Sequence, residues 1–291
     1  MKTAAIVFAA LIVIALSLTG CANGTVRQTS TSTSLYERVM KQGKIRCGYV
    51  VNFPGCIKDP NTGKMSGVGV DTLEMLGKNL GLPVEWTEEV GWGSMLEGLQ
   101  NNRYDIVGSP VWTNSNRARL ADFSKPLYFS PIYAWVKAGN KKLTSVTSAL
   151  LDSDKCSIAT IDGETAEIIA KEDFPNAKKV SLPQMSDPSQ NLLTVSSGKA
   201  DLTFAESAVA AGFLKTNPGS VQILSPDHPV RVFPNCWMFR RGEMEFKDML
   251  DAALDQVVNS GAEDKILRKY EPAPNTLYRV ALPYQLPAKG K

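Results

Sequence analysis

The chain has 291 residues, 43% of them apolar and 21% charged, with 22 glycines and 17 prolines. That composition excludes disordered, collagenous and disulfide-dense classes and fits one large domain or two of ordinary size. The 32 basic and 29 acidic residues leave a charge of only +3, spread along the chain, which is no nucleic-acid footprint; the single histidine, His228, removes the common catalytic dyads and most His-based metal sites.

In chain order, Lys2 is followed by an almost wholly apolar run of 15 residues, Ala4 to Leu18. A spanning helix needs roughly 20 such residues, so residues 1–20 read as an export signal. Leu18-Thr19-Gly20-Cys21 resembles the lipobox of bacterial lipoproteins, which implies that the signal is removed and that Cys21 becomes a lipidated N-terminus. Residues 21–34 are polar and Ser/Thr-rich, a flexible tether. The expected protein is an extracytoplasmic globule on a membrane anchor, periplasmic in a Gram-negative cell. Cys47, Cys56, Cys156 and Cys236 allow three complete pairings, and buried free thiols are an equal reading.

Leu35 to Gln42 suggests a helix and Lys44 to Val50 a strand. Leu73, Leu76 and Leu80 recur at helical spacing over Asp71 to Leu80, which Gly81 ends. Val84 to Glu88 is a strand, Ser94 to Asn102 a helix and Asp105 to Gly108 a strand. A second alternating set follows: strands Cys156 to Thr160, Lys179 to Leu182 and Asp201 to Ala205, with helices Glu164 to Asp173, Gln190 to Ser197 and Glu206 to Thr216. Alternation of this kind argues for βαβ units. Two segments rich in aromatics and prolines, Lys125 to Lys137 and Ile223 to Pro234, read as extended crossings, the second leading into a strand from Cys236 to Arg240. Met244 to Asn259 carries one apolar stripe (Phe246, Met249, Leu250, Ala253, Leu254, Val257) and is the clearest helix. Pro272 ends the helical region, and a Pro-rich tail follows.

Six fragments, in order, resemble the family 3 bacterial extracellular solute-binding proteins, the polar-amino-acid receptors of ABC importers, from about Leu35 to Tyr270. They are Gly43 to Gly48; Gly67 to Asp71; Trp92 to Leu99 with Tyr104-Asp105; Arg117 before Asp122-Phe123-Ser124; Gly163-Glu164-Thr165; and Gly198 to Asp201 with Glu206. The resemblance implies an α/β, two-lobe periplasmic binding protein-like fold of type II, each lobe a mixed sheet flanked by helices. Residues 35–130 plus 232–273 would form lobe I, residues 131–231 lobe II, and residues 274–291 the tail. It implies a clamp that closes on one amino acid or similar small charged solute and delivers it to permease subunits.

An amino-acid zwitterion carries two charges, each costly to desolvate without a partner. A guanidinium fits a carboxylate with two prongs, and the resemblance gives that role to Arg117 rather than Arg119, taken as exposed; packing on Asp122 is the alternative. Glu206 is the matching anionic pole at the carboxyl end of a strand, the alternative being an interaction with the helix dipole. Thr165 would donate to the ligand carboxylate or cap a helix, and Phe53 would cover the ligand side chain or fill the core. Where the family has hydroxyl residues this chain has Trp112 and Asn114, and Pro110 replaces a small residue. One acid of the Gly67 to Asp71 turn is Gly69, and Glu206 replaces the commoner Asp. Pro110 keeps a carbonyl for an ammonium, and Trp112 offers its backbone N–H and a π-face. The sequence implies no cofactor, no metal site and no nucleic-acid partner, and a monomer. Alternative readings are a cyclohexadienyl dehydratase-like enzyme, with Glu206 as general acid, and an extracytoplasmic solute sensor.

Overall fold

The computed structural model describes residues 33–280. The signal segment, Cys21, most of the tether and residues 281–291 lie outside the described residues. The first helix, α1 (Leu35–Gln42), starts at Ser34, whose side chain accepts from the Glu37 N–H while Glu37 returns a bond to the Ser34 N–H. Then come β1 (Ile45–Tyr49), the short hairpin β2 (Ile57–Lys58) and β3 (Met65–Ser66), α2 (Val68–Leu80) and β4 (Val84–Glu89). α3 (Met95–Gln100), β5 (Ile106–Trp112), α4 (Ser115–Ala118), β6 (Ala121–Phe123) and β7 (Tyr128–Lys137) follow. The second alternating set is α5 (Ser148–Leu151), β8 (Ser157–Ile161), α6 (Thr165–Asp173), β9 (Lys178–Leu182), α7 (Ser189–Ser196), β10 (Leu202–Glu206) and α8 (Ser207–Thr216). The chain returns through β11 (Val221–Ile223), β12 (Arg231–Arg240), α9 (Met244–Asn259), α10 (Ala262–Tyr270) and β13 (Tyr278–Arg279).

Eleven strands among the described residues join one sheet, whose main path is β4-β1-β5-β12-β7-β10-β8-β9. β1 runs parallel to β4 and β5, and β8 runs parallel to β9 and β10, as βαβ connections require. The antiparallel strands β7 and β12 join the two halves. β7 pairs with β12 over Tyr128 to Ile132 and with β10 over Ile132 to Val136. β12 pairs with β7 up to Asn235 and with β5 from there on. Each crossing strand therefore has one end in each lobe, and this pair links the two lobes.

The first lobe buries an apolar cluster on each face of its sheet. Leu73, Leu76, Trp237, Phe239, Phe246 and Leu254 lie on one side, and Met95, Leu99, Tyr104 and Met238 on the other. The second lobe does the same with Ile158, Ile169 and Phe204 on one side and Leu192, Val195 and Phe213 on the other. The four cysteines Cys47, Cys56, Cys156 and Cys236 are buried free thiols.

Three sequence expectations change. β5 runs on to Trp112 instead of stopping at Gly108, which carries Pro110 and Trp112 to the interlobe cleft. β12 is continuous through Pro234, whose fixed φ suits an extended chain although it withholds a donor. Residues 274–280, expected as tail, are docked. Leu277 is buried in the first lobe's core, and Tyr278 and Arg279 pair with Phe129 and Tyr128 of β7.

Candidate site in the interlobe cleft

β5, β8 and β10 end at the cleft, where open α/β sheets present ligand groups. Ser109 pins the end of β1 to β5: its hydroxyl accepts from the Val50 N–H at 2.8 Å and donates to the Val50 carbonyl at 2.7 Å. Past it, Pro110 wedges against the start of α2. A Cβ on Gly69 would lie 2.3 Å from Pro110 Cδ, so a side chain at position 69 and a proline at 110 are mutually exclusive. The two departures from the family pattern are therefore one compensated change. Trp112 stacks on Phe233 of β12, ring centroids 4.6 Å apart at 11°.

Arg117 sits on α4, a helix of four residues whose N-cap Asn114 accepts from the Arg117 N–H at 2.9 Å. Its guanidinium is buried and donates to the Trp112 carbonyl at 3.1 Å and, across the cleft, to the Gly163 carbonyl at 3.0 Å. Both acceptors are neutral, and burial lowers its pKa to about 10, partly offset by the charge of Glu164. Asp122 is engaged elsewhere, by the Gly242 N–H, and Arg119 is exposed.

The second lobe supplies Glu164, Thr165 and Glu206. Glu164 is the cap of α6, accepting from the Ala166 N–H at 3.0 Å, so the capping role considered for Thr165 falls to its neighbour. Burial pushes the Glu164 carboxyl up to about 7, against the pull of those helix N–H groups; the charge of Glu206 adds to the rise. Glu206, the last residue of β10, accepts from the Ser130 hydroxyl at 2.7 Å. Desolvation also raises it to about 7, with hydrogen bonding to Ser130 and Trp112 pulling the other way.

The lobes are closed on each other. The Gly93 N–H donates to Gln184 Oε1 at 3.1 Å, and Gly163, at φ 78°, comes so near that a Cβ there would lie 2.7 Å from Gly93 N. Between them is a cavity with about 20 Å³ of free space, enough for a water or two. A larger solute must enter with the lobes apart.

Of the residues expected at the site, Pro110, Trp112, Arg117, Thr165 and Glu206 line this cavity. Phe53 does not. It crosses the cleft onto α8, where a Cβ on Gly212 would lie 3.1 Å from its ring, and lines a separate groove with Pro188 and Leu193. Asn114 does not line the cavity either, because its side chain is the helix cap. Cys21 lies outside the described residues.

Sequence reasoning missed Asn52, Trp92, Glu164 and Asn191 as cavity walls. Three of them carry a buried polar atom with no hydrogen-bond partner among the described residues: Asn52 Oδ1, Trp92 Nε1 and Asn191 Oδ1. Each such orphan costs about 1–3 kcal/mol unless something pairs with it. Trp92 and Glu164 stood in the quoted motifs and were legible there; Asn191 looked like any polar helix residue.

A buried guanidinium and two desolvated carboxyls, left unpaired with each other in a closing cleft, define a clamp for a small polar or charged solute. Residues 45–273 match the model of the bacterial extracellular solute-binding proteins, family 3. The chain belongs to that family. It is 24% identical to the L-cystine-binding protein TcyA of Bacillus subtilis over 89% of this chain and 94% of that one. It is 27% identical to a probable histidine-binding protein of Neisseria gonorrhoeae over 72% and 75%. Among solved structures, an ancestral amino acid-binding protein described as a precursor of cyclohexadienyl dehydratase superposes with a TM-score of 0.70 at 28% identity, over 82% of this chain and 99% of that one.

Proposed function

We infer that the chain is the substrate-binding component of an ABC importer, clamping an amino acid between its lobes and delivering it to the permease. The observation that carries this is the interlobe cavity, which holds opposite charges left unpaired together with three buried, partnerless polar atoms. Arg117 and the Thr165 hydroxyl take the ligand carboxylate, helped by the Trp112 N–H. Glu206 and the Pro110 carbonyl take the ammonium. Asn52, Trp92 and Asn191 read the rest of the solute. Phe53 acts as a latch between the lobes, and Asn114 holds Arg117 in place. Lobe I consists of residues 35–130 with 232–273, to which the docked segment 274–280 adds, and lobe II of residues 131–231. The mature protein is a monomer, tethered by a lipid on Cys21 outside the cytoplasm, and a receptor rather than an enzyme.

Trp92 and Trp112 line the cavity, so intrinsic fluorescence reports its occupancy directly. Titration with the L-amino acids, L-cystine, small carboxylates and amines is expected to give a saturable change with one or a few amino acids. Silence across every class would overturn the reading. Incubation with prephenate is expected to release no phenylpyruvate; turnover would establish the enzyme instead. Metabolic labelling with palmitate, lost in Cys21→Ala, checks the anchor.

A further inference from the structure

Glu206 is not isolated in the sheet. In the register of β7, Tyr128 stands opposite Asn235 of β12 and Ile132 stands opposite Glu206 of β10. Alternate residues of a strand share a face, so the Ser130 side chain lies between the two, within diagonal reach of both. The bonds follow that geometry. Asn235 Nδ2 donates to Ser130 Oγ at 2.7 Å, and Ser130 Oγ donates to Glu206 Oε2 at 2.7 Å. Ser130 is 0% exposed and Asn235 1%, so water does not compete. The direction is forced. A carboxamide nitrogen can only donate, so the serine oxygen is the acceptor of that bond, and its single proton goes to the glutamate.

We propose that Ser130 and Asn235 are positioning residues for the anionic pole of the cleft: they favour the ionised form of Glu206, aim it into the cavity and tie it to both strands about which the lobes open. Neither lines the cavity. Each acts through Glu206, and the proposal rests on the reading of Glu206 as the ammonium's partner. A donated hydrogen bond is stronger to the carboxylate than to the neutral acid, so it favours the ionised form. The other groups near Glu206 are Glu164 and Tyr128, both raised chiefly by burial with its charge adding to the rise, the Trp112 indole, and Arg117 on the wall of the same cavity. The crossing strands thereby register what happens at the ligand's ammonium. Closure and ammonium binding share one hydrogen-bonded chain.

The test follows the titration of Glu206 by carboxyl-carbon NMR in glutamate-labelled protein, its signal assigned by loss in Glu206→Gln. Ser130→Ala is expected to move the midpoint upward by about one pH unit, a tenfold change in proton affinity. Ser130→Thr, which keeps the hydroxyl, restores it. Asn235→Asp raises it as well, because a second acceptor then competes for one serine proton. Affinities for L-arginine, L-glutamine, L-histidine and L-cystine are measured on the same variants at pH 6.5 and 8.5. For whichever binds, Ser130→Ala weakens affinity about tenfold at the lower pH and clearly less at the higher one. An unchanged midpoint with a pH-independent loss, the signature of mere packing damage, overturns the proposal. If Glu206→Gln binds these amino acids as the wild type does, or the wild type binds none of them, the reading beneath it fails. If Glu206→Gln loses binding while Ser130→Ala leaves both midpoint and affinity alone, the relay alone fails.

Discussion

Asp105 and Glu206 are both carboxylates at the edge of a central strand, and they meet opposite fates. Asp105 stands just before β5, at its amino end, with its side chain 0% exposed. It accepts from Arg38 Nη2 at 2.6 Å, from Arg46 Nη2 at 2.8 Å and from the Arg46 backbone N–H at 2.8 Å. Glu206 stands at the carboxyl end of β10 and is held by Ser130, while the rest of the carboxylate faces the cavity. At the first site the buried carboxylate is closed by two guanidiniums of the protein itself. At the second, charges of both signs are buried and left open. A buried charge without a partner is expensive, so its persistence marks a place where something else supplies the partner.

The sharpest way to break this contrast is to exchange the consequences of mutation. Asp105→Ala strands two guanidiniums and is expected to cost about 3–5 kcal/mol of stability, read as a loss of melting temperature, with amino-acid affinity retained in the folded fraction. Arg117→Met should do the reverse. It removes a buried cation whose bonds go to carbonyls, so stability holds or rises while affinity falls about 100-fold, near 2.7 kcal/mol. If Arg117→Met unfolds the protein and leaves affinity intact, the contrast is wrong.

A third acid tests the rule away from the cleft. Glu263 is buried on α10, where its Oε2 accepts from the Thr72 hydroxyl at 2.7 Å and its Oε1 is unpartnered. Desolvation raises its pKa to about 7 from 4.5. The folded state therefore binds the proton more tightly than the unfolded chain, and between about pH 4.5 and 7 stability falls as pH rises. Glu263→Gln is expected to flatten that slope and to add roughly 1–3 kcal/mol at pH 8, measured by urea unfolding across the pH range. A slope unchanged by the substitution would mean that the cleft acids Glu164 and Glu206 carry it. The smallest effect expected is that of Asn114→Ala. Losing the α4 cap costs about 1 kcal/mol of stability and a few-fold in affinity, because Arg117 stands on that turn.

Much of this was legible in the chain. Met244–Asn259 was readable to the residue because an apolar stripe of helical period leaves little choice of ends. Arg117 and Glu206, which line the cavity, were singled out by the resemblance to the family's motifs. Asn191 and Asn52 were not, since an asparagine on a helix or in a turn looks the same whether it faces solvent or a cavity. Phe53 was legible as a large apolar residue near the cleft but not as a contact on α8, because that depends on where Gly212 of the other lobe leaves room. The extension of β5 to Trp112 was hidden by Pro110, which reads locally as a strand breaker.

Local chemistry, then, determined the elements and their alternation, because periodicity acts over a few residues, and the family resemblance pointed to the charged residues that line the cleft. The tertiary structure decided which charges are closed and which stay open. That distinction depends on partners far apart in sequence: Asp105 meets Arg38 and Arg46, Arg117 meets the Gly163 carbonyl, and Glu206 meets Ser130 and, through it, Asn235. Only folding sets those distances, and at burial of this depth the distances determine the chemistry.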